Sequence, residues 1–380
     1  MVLVELPGGV TAWSVTRQRL LRDLLADPRV AANPRHWRVL TDGEVPDGWP
    51  LIDFILVRSM TTADGLDHRR LRSLITQAFT PRRVAALRSG IEATVGTLLD
   101  ELAQTLADGG TADLIERFAY PLPLTVVSEL LGFPEQRRAE LHHRSNLVSS
   151  SVTTAEEKVA NRTALLAILT SFVADHRAHP QDDLTGALIN AVTEDGEVLS
   201  EDELVGTLLT LLVAGHSTVS RLITNAVRAL FAHPAQRALA QSGRAKWSAV
   251  VEETLRWDSP LGHFPMRYAT EDIDVGGTTI PRGDAIILSY AAVGRDPQAH
   301  GAQADQFSIS RPPAQHLSFG YGVHFCLGAH LARLEGEIAL SMLFERFPDL
   351  GPAVDLNRLV PTPSIISNTV QSLEITLAGS

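Results

Sequence analysis

Apolar residues recur at helical spacing along most of the chain. Leu20, Leu21, Leu24 and Leu25 fall on one helical face, a spacing typical of an amphipathic helix. The stretches 66–258 and 327–348 keep the same period between glycine and proline interruptions. We therefore predict a mainly α protein in which these two stretches are mainly helical.

The segment 201–232 is apolar on almost every face, which indicates a buried central helix. Ser200 followed by Glu203 forms a capping box, so this helix should begin at about residue 201. Its middle, 214–218, reads AGHST. Gly costs about 1 kcal/mol relative to Ala inside a helix, and Thr can bond back to a carbonyl four residues earlier. We predict a weak point in the helical ladder here; the alternative is a kink that only serves packing.

The apolar period shortens after Pro260. Segment 261–290 contains β-rich runs around a Gly-Gly turn, and the C-terminal residues from 359 onward also resemble strands. Segment 33–65 has several Pro and Gly residues without a sustained period, so we predict mostly loop. With N-terminal strands added, these segments should form a smaller β-rich region within one domain spanning 1–380.

Charge and composition exclude some classes of function. The formal net charge is −11, from 33 basic and 44 acidic residues, whereas a phosphate-binding surface is normally basic. Nucleic acid is therefore not expected as a partner. The N-terminus has neither the roughly 18 apolar residues of a membrane span nor a signal peptide's basic and apolar regions. We expect a cytoplasmic protein with no membrane association.

The chain contains one cysteine, Cys326. A lone Cys cannot form an intrachain disulfide or supply a zinc cage, so a special role would be that of a single thiolate. Gly320 and Gly322 allow a tight loop before it, and a helix is predicted just after it. Backbone amides and the positive end of a helix both favour a thiolate. The alternative is a small buried hydrophobic residue, the usual fate of a free Cys.

The residues around Cys326 match a specific motif. They spell F-G-x-G-x-H-x-C-x-G, which resembles the heme-binding signature of the cytochrome P450 family. The resemblance implies the fold of that family and heme b as cofactor, with Cys326 as axial ligand of the iron. It also implies that Phe319 packs beside the sulfur and that His324 reaches a heme propionate. The matching positions are Phe319, Gly320, Gly322, His324, Cys326 and Gly328.

Several cations lie at positions where the family binds propionates. His68 and Arg72 are four residues apart on a predicted helix and share a face; without the resemblance, a solvated basic face would be the simpler interpretation. Arg267 matches a further propionate-binding arginine, with an ordinary strand-end arginine as the alternative. His316 could contact a propionate or cap the cysteine loop.

Glu253 and Arg256 match the family's E-x-x-R motif, whose buried ion pair stabilises the heme-binding core. Glu252 with Arg256 is a competing pair at i,i+4 spacing, and an exposed pair of either kind is worth only about 0.2–0.5 kcal/mol. We predict that the Glu253–Arg256 pair is buried and structural.

The centre of the apolar helix resembles the family motif A-G-x-acid-T, which serves dioxygen activation. Ala214, Gly215 and Thr218 match, whereas Ser217 replaces the usual acid. Because a Ser hydroxyl has no charged form at neutral pH, we predict that protons pass through Thr218 and water, with assistance from His216.

The resemblance implies a heme-thiolate monooxygenase of the soluble bacterial type, with dioxygen as co-substrate. It would receive two electrons from a ferredoxin and its reductase, as separate chains, and oxidise a small organic molecule such as a secondary metabolite. We expect a monomer. Ser217 leaves two alternatives open, an oxidative phenol-coupling enzyme and a heme-thiolate binding protein without turnover. Segments 39–62, 145–154 and 364–369 are the expected walls of the substrate cavity.

Overall fold

The structure is a computed structural model that describes residues 1–49, 51–149, 155–313 and 315–377. Helices make up most of it, which confirms the mainly α prediction. The α-helices are α1 Gln18–Ala26, α2 Arg38–Thr41, α3 Ile52–Leu56, α4 Gly65–Ala78, α5 Pro81–Ala86, α6 Arg88–Leu106, α7 Pro121–Leu131, α8 Glu135–Ser149, α9 Ala155–Ala178, α10 Leu184–Asn190, α11 Glu201–Ala232, α12 Pro234–Gln241, α13 Trp247–Trp257, α14 Tyr290–Val293, α15 Pro297–His300 and α16 Ala329–Arg346.

The described strands form three small sheets, arranged β1-β2-β8-β5-β3, β4-β10-β9 and β6-β7. Strands β2 and β8 are parallel, and the other pairs are antiparallel. Gly276 and Gly277 turn the chain between β6 and β7 with positive φ angles of 57° and 84°, a conformation that favours glycine. The strands are β1 Val2–Glu5, β2 Thr11–Val15, β3 Val30–Ala31, β4 Ala112–Asp113, β5 Met266–Ala269, β6 Ile273–Val275, β7 Thr278–Ile280, β8 Ala285–Leu288, β9 Leu350–Pro352 and β10 Glu374–Leu377.

Helix α11 crosses the helical part of the molecule and packs against α7, α9, α13 and α16. It begins where the capping box predicts, with Ser200 accepting from the Glu203 backbone and the Glu203 carboxylate accepting from the Ser200 backbone. Its length and composition alone would suit a membrane span, but 61% of the most apolar window is buried inside the protein. Burial against neighbouring helices accounts for that composition.

The predicted weak point in α11 is wrong, because the helix runs without interruption from Glu201 to Ala232. Gly215 instead allows close packing: a Cβ at this position would lie 3.1 Å from Cγ2 of Val127 on α7. The packing of α7 against α11 keeps the helix regular where local propensity alone favours an opening.

Two further segments differ from the prediction. The segment 33–65 contains α2, α3 and a short 3-10 helix, Pro34–His36, in addition to loops. Trp37 and Trp49 are buried there and lie 5.3 Å apart between ring centroids, so tertiary packing supports short helices that the period does not reveal. At the C-terminus, residues 359–370 form isolated bridges such as Leu261 to Ser367, and Glu374–Leu377 is the strand.

Candidate active site

The cysteine loop folds back on itself before α16. The Cys326 backbone amide donates to the Phe319 carbonyl at 2.8 Å, and Gly320 and Gly322 adopt positive φ angles of 74° and 72°. A Cβ at Gly322 would lie 3.0 Å from the Leu25 carbonyl oxygen, so a side chain there would push the loop away from α1. The loop thus presents the thiol just before the first turn of α16.

The Cys326 thiol lines a large internal cavity of about 800 Å³, a volume within the usual range for a small-molecule site. The cysteine loop forms one wall, and α11 lies across from it with Ala214, Gly215 and Thr218 among the lining residues. Most other lining side chains are apolar. This arrangement places a single sulfur opposite the AGHST segment inside a mostly apolar chamber.

The Cys326 side chain is accessible from the cavity, but the dense protein around it desolvates the thiol and raises its pKa. The Gly328 backbone amide and the nearby charges of Arg72 and Arg333 oppose this by favouring the thiolate. The protein therefore supplies hydrogen bonding and positive charge to the sulfur, and a cation bound directly to it would favour the thiolate further.

Four cationic or potentially cationic side chains surround the same end of the cavity. The rings of His68 and His324 lie 4.2 Å apart between centroids. Burial is the largest cause that lowers the pKa of His68, and the charge of Arg72 is the next. The pKa of His324 is lowered to about 2, chiefly by burial and then by Arg267, His68 and Arg72. Arg72 and Arg267 thus bring positive charge beside two histidines whose neutral forms are favoured, and Asp64 is an acid that acts on His68 and Arg267.

These side chains have hydrogen-bonding capacity to spare. His68 Nε2 is buried and has no hydrogen-bond partner among the described residues. Among the residues that the structure describes, Arg72 has no hydrogen bond or ion pair. Arg267 donates only to the Met266 carbonyl, at 2.9 Å, within those residues. Burial lowers the pKa of both arginines. A ligand with anionic oxygens would satisfy all of these groups.

On α11, Ser217 and Thr218 turn their hydroxyls back toward the helix. Ser217 Oγ donates to the Val213 carbonyl at 2.9 Å, and Thr218 Oγ1 donates to the Ala214 carbonyl at 2.8 Å. Both residues line the cavity. Their lone pairs remain free to accept from water or substrate.

The assistance of His216 in proton delivery stays a prediction, and the structure places this residue behind the cavity wall. His216 is 1% exposed and is absent from the cavity wall among the described residues. Its Nδ1 hydrogen-bonds to the Leu212 carbonyl at 2.7 Å, and its Nε2 to the Tyr120 hydroxyl at 2.9 Å. Successive helical residues point about 100° apart, so His216 contacts the residues preceding α7.

His316 also points away from the cavity, which contradicts the propionate alternative and supports its role in the loop. Its Nε2 lies 3.1 Å from the Glu252 carboxylate, and its Nδ1 accepts from the Ser318 backbone at 3.2 Å. Although burial raises the pKa of Glu252, hydrogen bonds from His316 and Arg333 bring it to about 2. The Arg333 guanidinium also lies 4.5 Å from the Phe319 ring centroid.

The Glu253–Arg256 pair is buried, with side-chain exposures of 5% and 2%. Arg256 also donates to the carbonyls of Gly294, Ala304 and Gln306. These bonds tie α13 to the segment that approaches the cysteine loop. The competing partner Glu252 binds His316 and Arg333 instead.

Sequence reasoning missed two buried ionisable residues in the cavity wall. Arg221 lies on α11 one turn beyond Ser217 and is 9% exposed. Glu335 lies on α16, is 1% exposed, and has one carboxyl oxygen without a described partner. Burial raises the pKa of Glu335 well above its usual value. A charged residue within an apolar helical run was the available signal for Arg221.

The predicted cavity walls are found in part. Residues 54–58 and 60–62 line the cavity, as do Ile366 and Ser367. Residues 150–154 of the predicted segment 145–154 lie outside the described residues, as do the side chains of 145–149.

Comparison with known proteins identifies the family. The family model for Cytochrome P450 matches residues 247–369. The 2-hydroxy-5-methyl-1-naphthoate 7-hydroxylase of Streptomyces carzinostaticus is 42% identical over 99% of this chain and 92% of its own. The chain belongs to the cytochrome P450 family.

Other members are similar along their whole length. The monooxygenase PikC of Streptomyces venezuelae is 37% identical, over 98% of this chain and 86% of its own. The structure of CYP154C4 from Streptomyces sp. ATCC 11861 superposes with a TM-score of 0.95 at 43% identity, covering 99% of this chain and 92% of its own. The P450 fold prediction is thus confirmed.

Membership establishes the general activity. The protein is a P450 monooxygenase that acts on small organic molecules, with heme as cofactor and dioxygen as co-substrate. P450s of this bacterial type use redox partners.

The residues present fit a heme. Among the described residues, no group of three or more His, Cys, Asp or Glu side chains could hold a metal ion, so iron at Cys326 needs ligands from a macrocycle. The unpaired His68 Nε2 and the cations beside it match the two propionates of heme b.

Proposed function

We propose that this P450 hydroxylates a small secondary metabolite bound between α11 and the cysteine loop, with Cys326 as the axial ligand of the heme iron. The convergence of one thiol, two arginines and two histidines on one end of an apolar cavity carries this proposal. The relatives whose names include hydroxylase support hydroxylation as the outcome.

The heme seat would use residues from three parts of the chain. His68 and Arg72 from α4, Arg267 from β5 and His324 from the cysteine loop would hold the propionates. A planar guanidinium can donate two parallel hydrogen bonds to one carboxylate. Phe319, Gly320 and Gly328 would shape the loop around the sulfur.

Heme with a thiolate ligand supplies dioxygen activation when bound, a chemistry that belongs to the cofactor. The protein's contribution is to exclude bulk water, position the substrate and move protons. Thr218 Oγ1 donates to the Ala214 carbonyl and can accept a hydrogen bond from a water, so it can hold that water in place for proton delivery. The Ser217 hydroxyl makes the same kind of back-bond and can also anchor a water, but unlike the family's acid it has no charged form at neutral pH.

Electrons would come from a ferredoxin and a ferredoxin reductase on separate chains, to a monomeric, single-domain, cytoplasmic enzyme. Docking of an acidic carrier would use exposed cations such as Arg69 and Arg82. Arg70, on the same helix as Arg69, binds the carboxylate of the α11 capping residue Glu203, so its charge is already compensated.

A second candidate, oxidative coupling of phenols, is favoured by one observation, Ser217 in place of the family's acid. Hydroxylation adds one oxygen atom from dioxygen to the substrate and releases the other as water. Coupling removes two hydrogen atoms and adds no oxygen. A non-turnover binding protein would give neither product.

Reconstitution with NADPH, a surrogate ferredoxin and its reductase tests the proposal. Under ¹⁸O₂, hydroxylation predicts a product containing one labelled oxygen. An unlabelled product short of two hydrogens would instead establish coupling. Ligand binding without any product from a panel of bacterial aromatic and polyketide metabolites would favour the binding protein and contradict hydroxylation.

A further inference from the structure

Arg221 is a buried cation whose charge the rest of the structure does not neutralise. It lies in the cavity wall and is 9% exposed. Among the described residues, it has no hydrogen bond and no ion pair. By contrast, the buried Arg256 binds Glu253, and the partly buried Arg228, two turns further along α11, binds Asp258.

The heme seat does not account for Arg221. Arg72, Arg267 and His68 act electrostatically on His324, whereas Tyr120 is the ionisable residue that acts on Arg221. Burial lowers the pKa of Arg221 to about 10, so the guanidinium is still charged at neutral pH. Five N–H donors on a buried charge require a partner, since an unpaired buried ion is costly.

The lining carboxylates cannot supply that partner. Glu201 and Asp202 lie at the start of α11, about 30 Å from Arg221 along a helix rising 1.5 Å per residue. Burial raises the pKa of Glu335 and favours its neutral form, which offers no negative charge to Arg221. An anion that enters the cavity would supply the missing partner.

Ser217, one helical turn from Arg221, offers the guanidinium no negative charge. Positions 217 and 221 are one helical turn apart, and an acid at 217 would face a guanidinium at 221 with favourable i,i+4 spacing. With a serine there, Arg221 stays available on the same face as Thr218.

We propose that Arg221 binds a carboxylate group on the substrate, which makes this enzyme selective for apolar organic acids. The inference rests on the proposed function of the cavity as the substrate site. A planar guanidinium suits a carboxylate, and the mostly apolar lining suits the hydrocarbon part of such an acid. The naphthoate named as the substrate of the Streptomyces carzinostaticus relative is an acid of this class.

The test compares acids with their methyl esters on the heme-loaded enzyme. A panel of naphthoic, phenylalkanoic and medium-chain fatty acids is titrated against wild type, Arg221→Gln and Arg58→Gln, following displacement of the iron-bound water by absorbance. Arg58 is a matched control because it lines the cavity but its side chain is 69% exposed.

We expect wild type and Arg58→Gln to bind at least one acid about 10- to 100-fold more tightly than its ester, the range for a hydrogen bond to a charged group. Arg221→Gln should lose this preference. Absence of acid preference across the panel, or a preference that survives Arg221→Gln, would overturn the proposal. A thiolate-type carbon monoxide spectrum in all three proteins shows that the heme site itself is intact, which separates this failure from failure of the proposed function.

Two further variants distinguish a role of Arg221 in substrate binding from a role in folding. Ser217→Asp should weaken acid binding about tenfold, because the new carboxylate occupies Arg221. Arg221→Met should unfold at the same temperature as wild type or higher without ligand, since an unpaired buried charge is removed. A strong loss of stability in Arg221→Met would show that Arg221 is structural and would contradict the substrate role.

Discussion

Arg256 donates hydrogen bonds of 2.7 Å to both carboxylate oxygens of Glu253, from Nε and from Nη2. The two side chains are almost completely buried. The Glu253 carboxylate also accepts from the Ser308 backbone at 2.8 Å, so the pair holds the approach to the cysteine loop against α13. Removing one partner would leave a buried charge without compensation.

Arg256→Leu should therefore destabilise the protein by about 3–5 kcal/mol and reduce heme incorporation, because it strands the Glu253 charge. Arg88 and Glu92 provide a matched control, since they form an exposed ion pair at i,i+4 spacing. Arg88→Leu should cost less than about 1 kcal/mol. Urea unfolding and the heme-to-protein ratio measure both effects; equal losses in the two variants would contradict a special role for the buried pair.

Heme retention should depend on Arg72 more than on its neighbour Arg69. Arg72 lines the cavity without a described partner, whereas Arg69 is exposed on the same helix. Arg72→Gln should release heme to an excess of acceptor protein about tenfold faster or more, through loss of a charge-assisted hydrogen bond to a propionate. If Arg69→Gln releases heme equally fast, overall charge and not the predicted contact sets retention.

Thr218→Val should lower the amount of product formed per NADPH consumed by roughly tenfold, because Thr218 lines the cavity within the AGHST segment and its hydroxyl can hold a water for proton delivery. Thr224→Val is the control: Thr224 makes the same back-bond, to Ser220, but lies away from the cavity. Ser217→Asp should raise the ratio for neutral substrates. An unchanged ratio in both Thr218→Val and Ser217→Asp would exclude this proton path.

Glu335 should make stability depend on pH. Burial raises its folded-state pKa above 4.5, so the native protein holds a proton that the unfolded chain releases. The stability that this carboxyl contributes is present below about pH 4.5 and is lost as pH rises toward the folded pKa.

Glu335→Gln should therefore be more stable than wild type at pH 8, with a smaller gain at pH 5. Glu345→Gln, at an exposed position on the same helix, should show no such trend. Urea unfolding of the heme-loaded proteins between pH 5 and pH 8 measures the difference, and a gain that shrinks with rising pH would contradict the assignment.

The sequence predicts best where the signal is local. Ser200 and Glu203 predict the start of α11, and the glycines before Cys326 predict its loop, because caps and positive-φ turns depend on a few adjacent residues. The motif predicts that Glu253 and Arg256 form a pair. It does not predict the carbonyls, 38 to 50 residues away in sequence, that accept the other hydrogen bonds of Arg256.

What the sequence could not predict depends on how helices rotate and pack. His216 and Ser217 are adjacent, yet one contacts Tyr120 and the other lines the cavity. The sequence allows His316 either to contact a propionate or to cap the cysteine loop, and its contact with Glu252 is visible only in the folded structure. The position of Arg221 within an apolar helical run indicates burial, but only the packing of α11 against its neighbours shows that Arg221 is unpaired.

The most direct measurement of Cys326 as the heme ligand is the carbon monoxide difference spectrum of the reduced protein. Wild type should show the strongly red-shifted band of a thiolate-ligated heme, and Cys326→His should retain heme but lose that band. A wild-type spectrum of the kind given by histidine-ligated heme, or a red-shifted band that persists in Cys326→His, would contradict Cys326 ligation.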